Sequence, residues 1–233
     1  LARVEPADLG LCPDRTQRLL QALQGEVDRG HIPGAVVLLA RHGQVGLHQA
    51  IGQLDPGNGL PMTTDAVFRI YSMTKPVVSV AAMMLVEQGQ LLLSDPVAKY
   101  LPEFANQSVA VERGTEVALQ PVAQPATVQD LLRHTAGLTY EFLGSAHVQR
   151  LYAQAQIGSR ARSNAAFSET LAAMPLFHQP GSQWAYSRAT DVLGRLLEVV
   201  SGQTLGEHLA QTIFAPLGMH DTAFSVPQAS QVR

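Results

Sequence analysis

Phe68-Arg-Ile-Tyr-Ser72-Met-Thr-Lys75-Pro76 is the stretch that decides the fold of this 233-residue chain. It opens the strongest helical pattern of the sequence, an apolar run in which a proline is tolerated in the first turn. Residues three apart on an α-helix are about 60° apart around the axis and ~4.5 Å apart along it. The spacing therefore predicts that Ser72 and Lys75 share one face at the helix N-terminus, with the lysine Nζ within reach of the serine Oγ.

This pair has the composition of an activated nucleophile. A serine hydroxyl attacks poorly until a base takes its proton, and a lysine with a reference pKa of about 10.4 serves near pH 7 only if burial lowers that pKa by about three units. Lys75 is one of only two lysines in the chain. We predict that Ser72 is the nucleophile and Lys75 its base. The alternative is that Ser72 caps the helix and Lys75 is a solvated residue of its first turn.

About the first 55 residues are predicted to form a helix followed by a β-hairpin. Pro13 opens a helical pattern that Gly30 ends. The continuous apolar run Ala35–Ala40 predicts a strand that is buried on both faces, and Val45–Ile51 alternates as its partner.

The remainder of the chain is mainly helical in pattern. Residues 106–125 carry few helix signals and predict a loop. Thr127–Asp130 resembles a capping box, and Gly137 is predicted to close the helix that it begins. Two further helices are expected over Ser187–Val200 and Thr204–Phe214.

Composition narrows the function classes. The formal net charge is -3 and no basic run occurs, so nucleic acid is not expected as a partner. No apolar run reaches the ~18 residues of a membrane span. The eight histidines and the single cysteine, Cys12, form no cluster with metal spacing, so neither a metal nor another cofactor is expected. The compartment, cytoplasmic or periplasmic or secreted, stays open.

The Ser72 motif together with later stretches resembles the penicillin-recognising serine hydrolases. Within them the chain is most similar to the class C β-lactamase-like carboxylesterases, often called family VIII esterases. The later stretches that carry the resemblance are Leu92–Val97, Asp130–Leu138, Pro180–Arg188 with Asp191–Gly194, and Pro216–Met219.

This resemblance implies an α+β, serine β-lactamase-like fold, in which an antiparallel sheet flanked by helices accompanies a helical lobe. Residues 1–65 would hold the helix and hairpin of the first lobe, and residues 66–233 the mainly helical lobe with the motifs. The resemblance also implies that substrate acylates Ser72 and that Tyr186 shuttles the proton. Whether Lys75 or Tyr186 is the immediate proton acceptor is left open.

Two departures from the family pattern bear on the activity. Arg188 stands where β-lactamases of this type have an asparagine that holds the substrate amide, which favours an esterase. Its positive charge near the cleft could also attract an acidic substrate group. The third family motif does not occur in the 233 residues. We therefore expect a C-terminal remainder of over ~100 residues, sized by the resemblance, that completes the sheet and the oxyanion hole.

Three residues are candidates for binding substrate: Tyr71, Tyr140 and Arg188. For Tyr140, core packing is an equal alternative. A structural role is expected for His134, because a hydrogen-bonding residue at a helix C-terminus is common. No Gly-x-Ser-x-Gly elbow occurs, which argues against an α/β-hydrolase.

The predicted function is a carboxylesterase that acts on small, short-acyl esters through a Ser72 acyl-enzyme. One alternative is a β-lactamase or D-Ala-D-Ala peptidase of the same mechanism. The second is a non-catalytic sensor of the penicillin-binding type.

Overall fold

The computed structural model describes residues 1–114 and 116–226, which form two compact units. The first unit is formed by Leu1–Arg69 with residues 225 and 226, and the second by Ile70–Phe224. No helix in these ranges is both long enough and apolar enough to cross a bilayer.

The first unit contains one α-helix and a small sheet. These elements are α1 (Pro13–Asp28), β1 (Ala2–Arg3), β2 (Gly34–Arg41), β3 (Gln44–Asp55) and β4 (Leu60–Pro61). Strand β3 pairs antiparallel with β2 and β4 and parallel with the short β1. The predicted helix and β-hairpin are therefore confirmed.

A two-residue turn joins β2 to β3. His42 and Gly43 both adopt the left-handed conformation, with φ of 52° and 71°. Two successive positive φ angles are typical of a type I′ turn, whose twist matches that of the strands it connects. The hairpin register follows from this turn, since Arg41 lies opposite Gln44.

The prediction that the first hairpin strand is buried on both faces is wrong. No residue of β2 is fully buried, and Leu38 is 53% exposed. Among the described residues β2 pairs with β3 alone, so it is an edge strand on that sheet. A continuous apolar run is typical of strands whose two faces are both covered, and the described residues do not cover both faces of β2.

The second unit is mainly helical. Its elements are β5 (Ser108–Arg113), β6 (Glu116–Pro121), α2 (Thr74–Glu87), α3 (Val128–Arg133), α4 (His147–Gln154), α5 (Asn164–Ala172), α6 (Ala189–Ser201) and α7 (Leu205–Leu209). Helix α2 packs against α6 in the centre of the apolar core. Fully buried alanines on α2, Ala81 and Ala82, let the two helices approach closely.

Residues 106–125 are not the predicted loop but contain an antiparallel hairpin of β5 and β6. Only Val109 of these strands is buried, and β6 is exposed along its whole length. Hydrogen bonds hold the hairpin, including two between β5 and Leu176: Ala110 N to Leu176 O at 2.9 Å and Leu176 N to Ser108 O at 2.7 Å. The hydrophobic signal in the sequence is short, since each strand carries only three consecutive apolar residues, Val109–Val111 and Val117–Leu119.

The ends of the later helices follow from local chemistry. The predicted capping box at the start of α3 is confirmed, since the side chains of Thr127 and Asp130 each accept from the other's backbone N–H. The helix closes at His134, in the left-handed conformation with φ of 58°, and not at Gly137 as predicted. The spans predicted for the last two helices are confirmed to within two residues, with α7 continuing as a π-helical turn, Ala210–Phe214.

Candidate active site

Ser72 lies in a 3₁₀ turn, Tyr71–Met73, that leads directly into α2. Residues three apart eclipse one another in 3₁₀ geometry, which brings the side chains of Ser72 and Lys75 onto one line. The Lys75 Nζ donates a hydrogen bond to the Ser72 Oγ at 3.2 Å. The local chain conformation is therefore sufficient to place the amine against the hydroxyl.

The residue before Ser72 has an uncommon backbone conformation. Tyr71 has φ of 44°, in the left-handed region that aromatic residues seldom occupy. Its side chain is 72% exposed, so packing of the ring does not explain the conformation. Backbone strain of this kind is concentrated at functional sites, where the surrounding structure maintains it.

Tyr186 reaches the same serine from a distant part of the chain. It lies in an irregular segment, residues 183–187, just before α6. Its hydroxyl donates to the Ser72 Oγ at 2.6 Å, and the Lys75 Nζ lies 4.7 Å from the centroid of its ring. The three residues that the sequence singled out as catalytic are thus brought together around one oxygen.

The proton affinities in this cluster differ from the sequence-based expectation. Burial acts to lower the pKa of Lys75, but hydrogen bonds with Tyr186 and Tyr140 outweigh it, and the pKa lies above its ordinary value. The hydrogen bond from Lys75, followed by that with Ser72, lowers the pKa of the Tyr186 phenol. The expected burial-lowered pKa of Lys75 is therefore not found, because two phenol groups favour its ammonium form.

Tyr140 forms the wall next to Lys75. It is buried, its ring stacks on Phe142 at 4.7 Å between centroids, and burial raises the pKa of its phenol. The guanidinium of Arg188 lies 4.8 Å from the ring centroid. Tyr140 thus takes part in the core and also borders the site, as both sequence-based alternatives allowed.

The charge of Arg188 is compensated by carboxylates. Its guanidinium forms two hydrogen bonds with Glu141, and a second carboxylate, that of Asp191, lies 3.8 Å away. The Arg188 side chain is only 16% exposed. The expectation that this charge attracts an acidic substrate group therefore loses its basis, although Arg188 as a substrate-binding residue stays a prediction.

A cavity of about 580 Å³ opens beside Lys75. Its walls come from α2, α6 and α7, and all three candidate binding residues, Tyr71, Tyr140 and Arg188, line it. Asp191 also lines it, and burial raises the pKa of its carboxyl group.

Two carboxylates at this site were not predicted. Asp191 lies three residues after Arg188, an opposite-charge spacing on one helix face that could have indicated the contact. Glu141 directly follows Tyr140, but no local pattern relates it to Arg188, which is 47 residues away in sequence.

The chain is similar in sequence to known proteins of one family. The sequence profile of the family described as Beta-lactamase matches residues 18–233. Esterase EstB of Burkholderia gladioli is 39% identical over 194 residues, which make up 82% of this chain and 47% of that protein. Lovastatin esterase of Penicillium rubens is 34% identical over 206 residues, 86% of this chain and 51% of that protein.

A solved structure shows the same likeness. EstCE1, described as a hydrolase with promiscuous acyltransferase activity, is 32% identical and gives a TM-score of 0.78. The similarity covers 92% of this chain and 54% of that one. The chain thus spans about half the length of the curated relatives it matches.

Proposed function

The chain belongs to the β-lactamase family, and on that basis we propose that it carries the nucleophile and proton-transfer groups of a serine carboxylesterase. The observation that supports this most is the pair of hydrogen bonds on one oxygen. The Ser72 Oγ accepts from Lys75 at 3.2 Å and from Tyr186 at 2.6 Å. A hydroxyl within reach of two proton-carrying groups is suited to attack, because its proton can leave as the new bond forms.

The proposed reaction begins with Tyr186 as a phenolate. Its oxygen takes the Ser72 proton while the Ser72 Oγ attacks the ester carbonyl carbon, whose π electrons move onto the carbonyl oxygen. When the tetrahedral intermediate collapses, the bond to the alcohol oxygen breaks and Tyr186 returns the proton to that oxygen. Water then hydrolyses the Ser72 ester, giving one proton to Tyr186 on attack, and Ser72 recovers a proton as the acid leaves.

Lys75 is the group that makes a phenolate available. Its ammonium donates toward the reacting oxygens, and its hydrogen bond lowers the pKa of Tyr186. A protonated lysine cannot itself accept the serine proton. The raised pKa of Lys75 therefore favours Tyr186 as the immediate acceptor, with Lys75 as the charge that stabilises it.

Small esters with short acyl groups are the proposed substrates. A cavity of about 580 Å³ falls within the ordinary range of small-molecule sites. Tyr71, Tyr140 and Arg188 are proposed to contact substrate from its walls. Because the Arg188 guanidinium is bound to Glu141, it does not reproduce the neutral amide that holds a β-lactam in related enzymes.

The test compares two chromogenic substrates on the full protein, a short-chain nitrophenyl ester and a cephalosporin. We expect ester turnover with weak and much slower β-lactam turnover. A cephalosporin kcat/KM equal to or above that of the ester would favour a β-lactamase. Stable labelling by a fluorescent penicillin without turnover of either substrate would favour a sensor.

Acyl transfer to an alcohol is a second candidate activity. Two large apolar side chains flank Ser72 in the chain and are exposed, Tyr71 at 72% and Met73 at 67%, and such exposed apolar surface can hold the body of an alcohol in place of water. EstCE1, which resembles this chain, is described as a hydrolase with promiscuous acyltransferase activity. Adding an alcohol acceptor during ester turnover distinguishes the two, since transfer yields a new ester and hydrolysis a free acid.

A further inference from the structure

The segment that carries Tyr186 belongs to no helix or strand, so other contacts must hold its hydroxyl in place. Residues 134–139, the stretch that follows α3, hold it through backbone hydrogen bonds. One backbone hydrogen bond comes from the segment itself and one from each side of it: Ala185 N to His134 O at 2.9 Å, Gly181 N to Thr135 O at 2.8 Å, and Arg188 N to Thr139 O at 3.3 Å.

His134 contacts this segment on both sides of Tyr186. Its carbonyl accepts from the residue before, Ala185, and its Nδ1 lies 3.1 Å from the hydroxyl oxygen of the residue after, Ser187. The His134 ring packs against the Tyr186 ring, 5.0 Å between centroids, and an edge-on contact with Trp184 follows at 6.4 Å.

The partner hydroxyl of His134 is almost completely enclosed. Ser187 is 1% exposed, so its hydroxyl requires a hydrogen-bond partner inside the protein, and Nδ1 of His134 supplies one. Burial, followed by the nearby charge of Lys75, lowers the pKa of the His134 ring and favours its neutral form.

The backbone of His134 does not account for the presence of this residue. It adopts the left-handed conformation that ends α3, for which glycine and asparagine are better suited than histidine. The helix end therefore does not require an imidazole ring at this position. The ring makes its contacts with the Tyr186 segment.

We propose that His134 is a positioning residue for Tyr186, acting through the Ser187 hydroxyl and through ring packing. The inference rests on the proposed function, because it assumes that Tyr186 transfers protons at Ser72. His134 itself acts on the reacting atoms only through its neighbours. A displacement of the Tyr186 hydroxyl by about 1 Å would reduce the rate by as much as ~100-fold without changing how substrate binds.

The test is His134→Gly in the full protein. Glycine keeps both the left-handed backbone and the carbonyl that Ala185 contacts, and removes only the ring. We expect kcat to fall by about ten- to 100-fold with KM within about twofold. The matched control is His42→Gly, since His42 is also left-handed but lies in the β2–β3 turn. It should leave kcat unchanged.

Two more variants separate positioning from a general structural role. Ser187→Ala removes the hydroxyl partner and should also lower kcat, whereas adding it to His134→Gly should cause little further loss, because the two changes break one interaction. His134→Asn tolerates the same backbone, retains hydrogen-bonding groups and should recover part of kcat. Losses that multiply in the double variant would contradict action through Ser187.

The rate at which a fluorophosphonate probe labels Ser72 completes the experiment. We expect labelling of a folded His134→Gly variant to slow by the same factor as kcat. If His134→Gly is labelled and turns over esters at the parent rate, the positioning role is overturned and the proposed function stands. If His134→Gly does not fold, the same result in Ser187→Ala overturns the positioning role. A parent protein in which Ser72 is not labelled and esters are not turned over would overturn the proposed function and this inference with it.

Discussion

The hydroxyl of Tyr186 lies 2.6 Å from the Oγ of Ser72, although 114 residues separate them in the sequence. Lys75 completes the cluster from the next turn of the chain, with its Nζ 3.2 Å from the same Oγ. Each of the three groups is held by a different local structure. Single substitutions should therefore remove one group while leaving the other two in place.

Ser72→Ala should reduce ester hydrolysis by at least ~10³-fold, because the acyl group then has no oxygen to which it can be transferred. Steady-state rates with a short-chain nitrophenyl ester check this, and circular dichroism checks the fold. Ser79→Ala is the control, since Ser79 lies on α2, about two turns beyond Ser72. Activity of the Ser72 variant within tenfold of the parent would show that another residue is the nucleophile.

Tyr186→Phe should lower kcat by roughly 10²- to 10⁴-fold with a smaller effect on KM, because the ring stays while the proton-transfer group is lost. Tyr100→Phe serves as the control. It removes a phenol that hydrogen-bonds Asp95 in another part of the unit, and kcat should be unaffected. A large KM change with normal kcat for the Tyr186 variant would identify a binding or packing role instead.

Lys75→Ala should lower kcat by orders of magnitude and move the remaining activity to higher pH. The active form has Tyr186 as phenolate, so the rate rises as pH passes upward through the pKa of Tyr186. The hydrogen bond from Lys75 lowers that pKa, and its removal lets the pKa rise toward the ordinary value of about 10. A pH profile of kcat measures the shift.

The chain contains a natural control for this experiment. Lys99, the only other lysine, forms an ion pair with Asp95. Lys99→Ala should therefore leave the pH dependence of kcat unchanged. An acid limb that stays fixed or moves to lower pH in the Lys75 variant would contradict Tyr186 as the proton acceptor.

Glu141→Gln should lower the free energy of unfolding by about 2 kcal/mol, because it removes the carboxylate that hydrogen-bonds the largely buried Arg188 guanidinium and leaves only the more distant Asp191. The control is Glu26→Gln. Glu26 pairs with Arg29 in the open, where both side chains are more than 40% exposed, and the cost should be smaller than for Glu141→Gln. Urea unfolding of both variants compares the costs, and equal values would show that burial of the Arg188 pair has no energetic consequence.

Gly137→Ala should destabilise the fold by about 3 kcal/mol or more. Gly137 has φ of 80°, and a Cβ there would lie 2.2 Å from the backbone oxygen of His178. Gly89→Ala is the matched control. Gly89 has φ of 71° with nothing near its Cβ position, so it should cost only the strain of about 1–2 kcal/mol. Melting temperatures that fall equally in both variants would exclude the predicted steric clash.

Local features of the site and fold could be predicted from short stretches of sequence. The contact of Ser72 with Lys75 needs only the geometry of one helical turn. The capping box at Thr127 and the turn at His42 likewise depend on neighbouring residues, whose conformations are restricted by their own side chains and backbone.

Contacts across long stretches of chain required the tertiary structure. The ion pair of Arg188 with Glu141 joins residues 47 positions apart in sequence. The hydrogen bond between His134 and Ser187 joins residues 53 positions apart. The β5–β6 hairpin carries only three consecutive apolar residues in each strand, and its pairing with Leu176 depends on a residue more than 60 positions away from β5. The direction of the Lys75 pKa shift also depends on Tyr140 and Tyr186, which pack beside it only in the folded unit. A proton affinity reflects every group within a few ångströms, whatever its position in the chain, whereas a sequence motif names only the residues next to it.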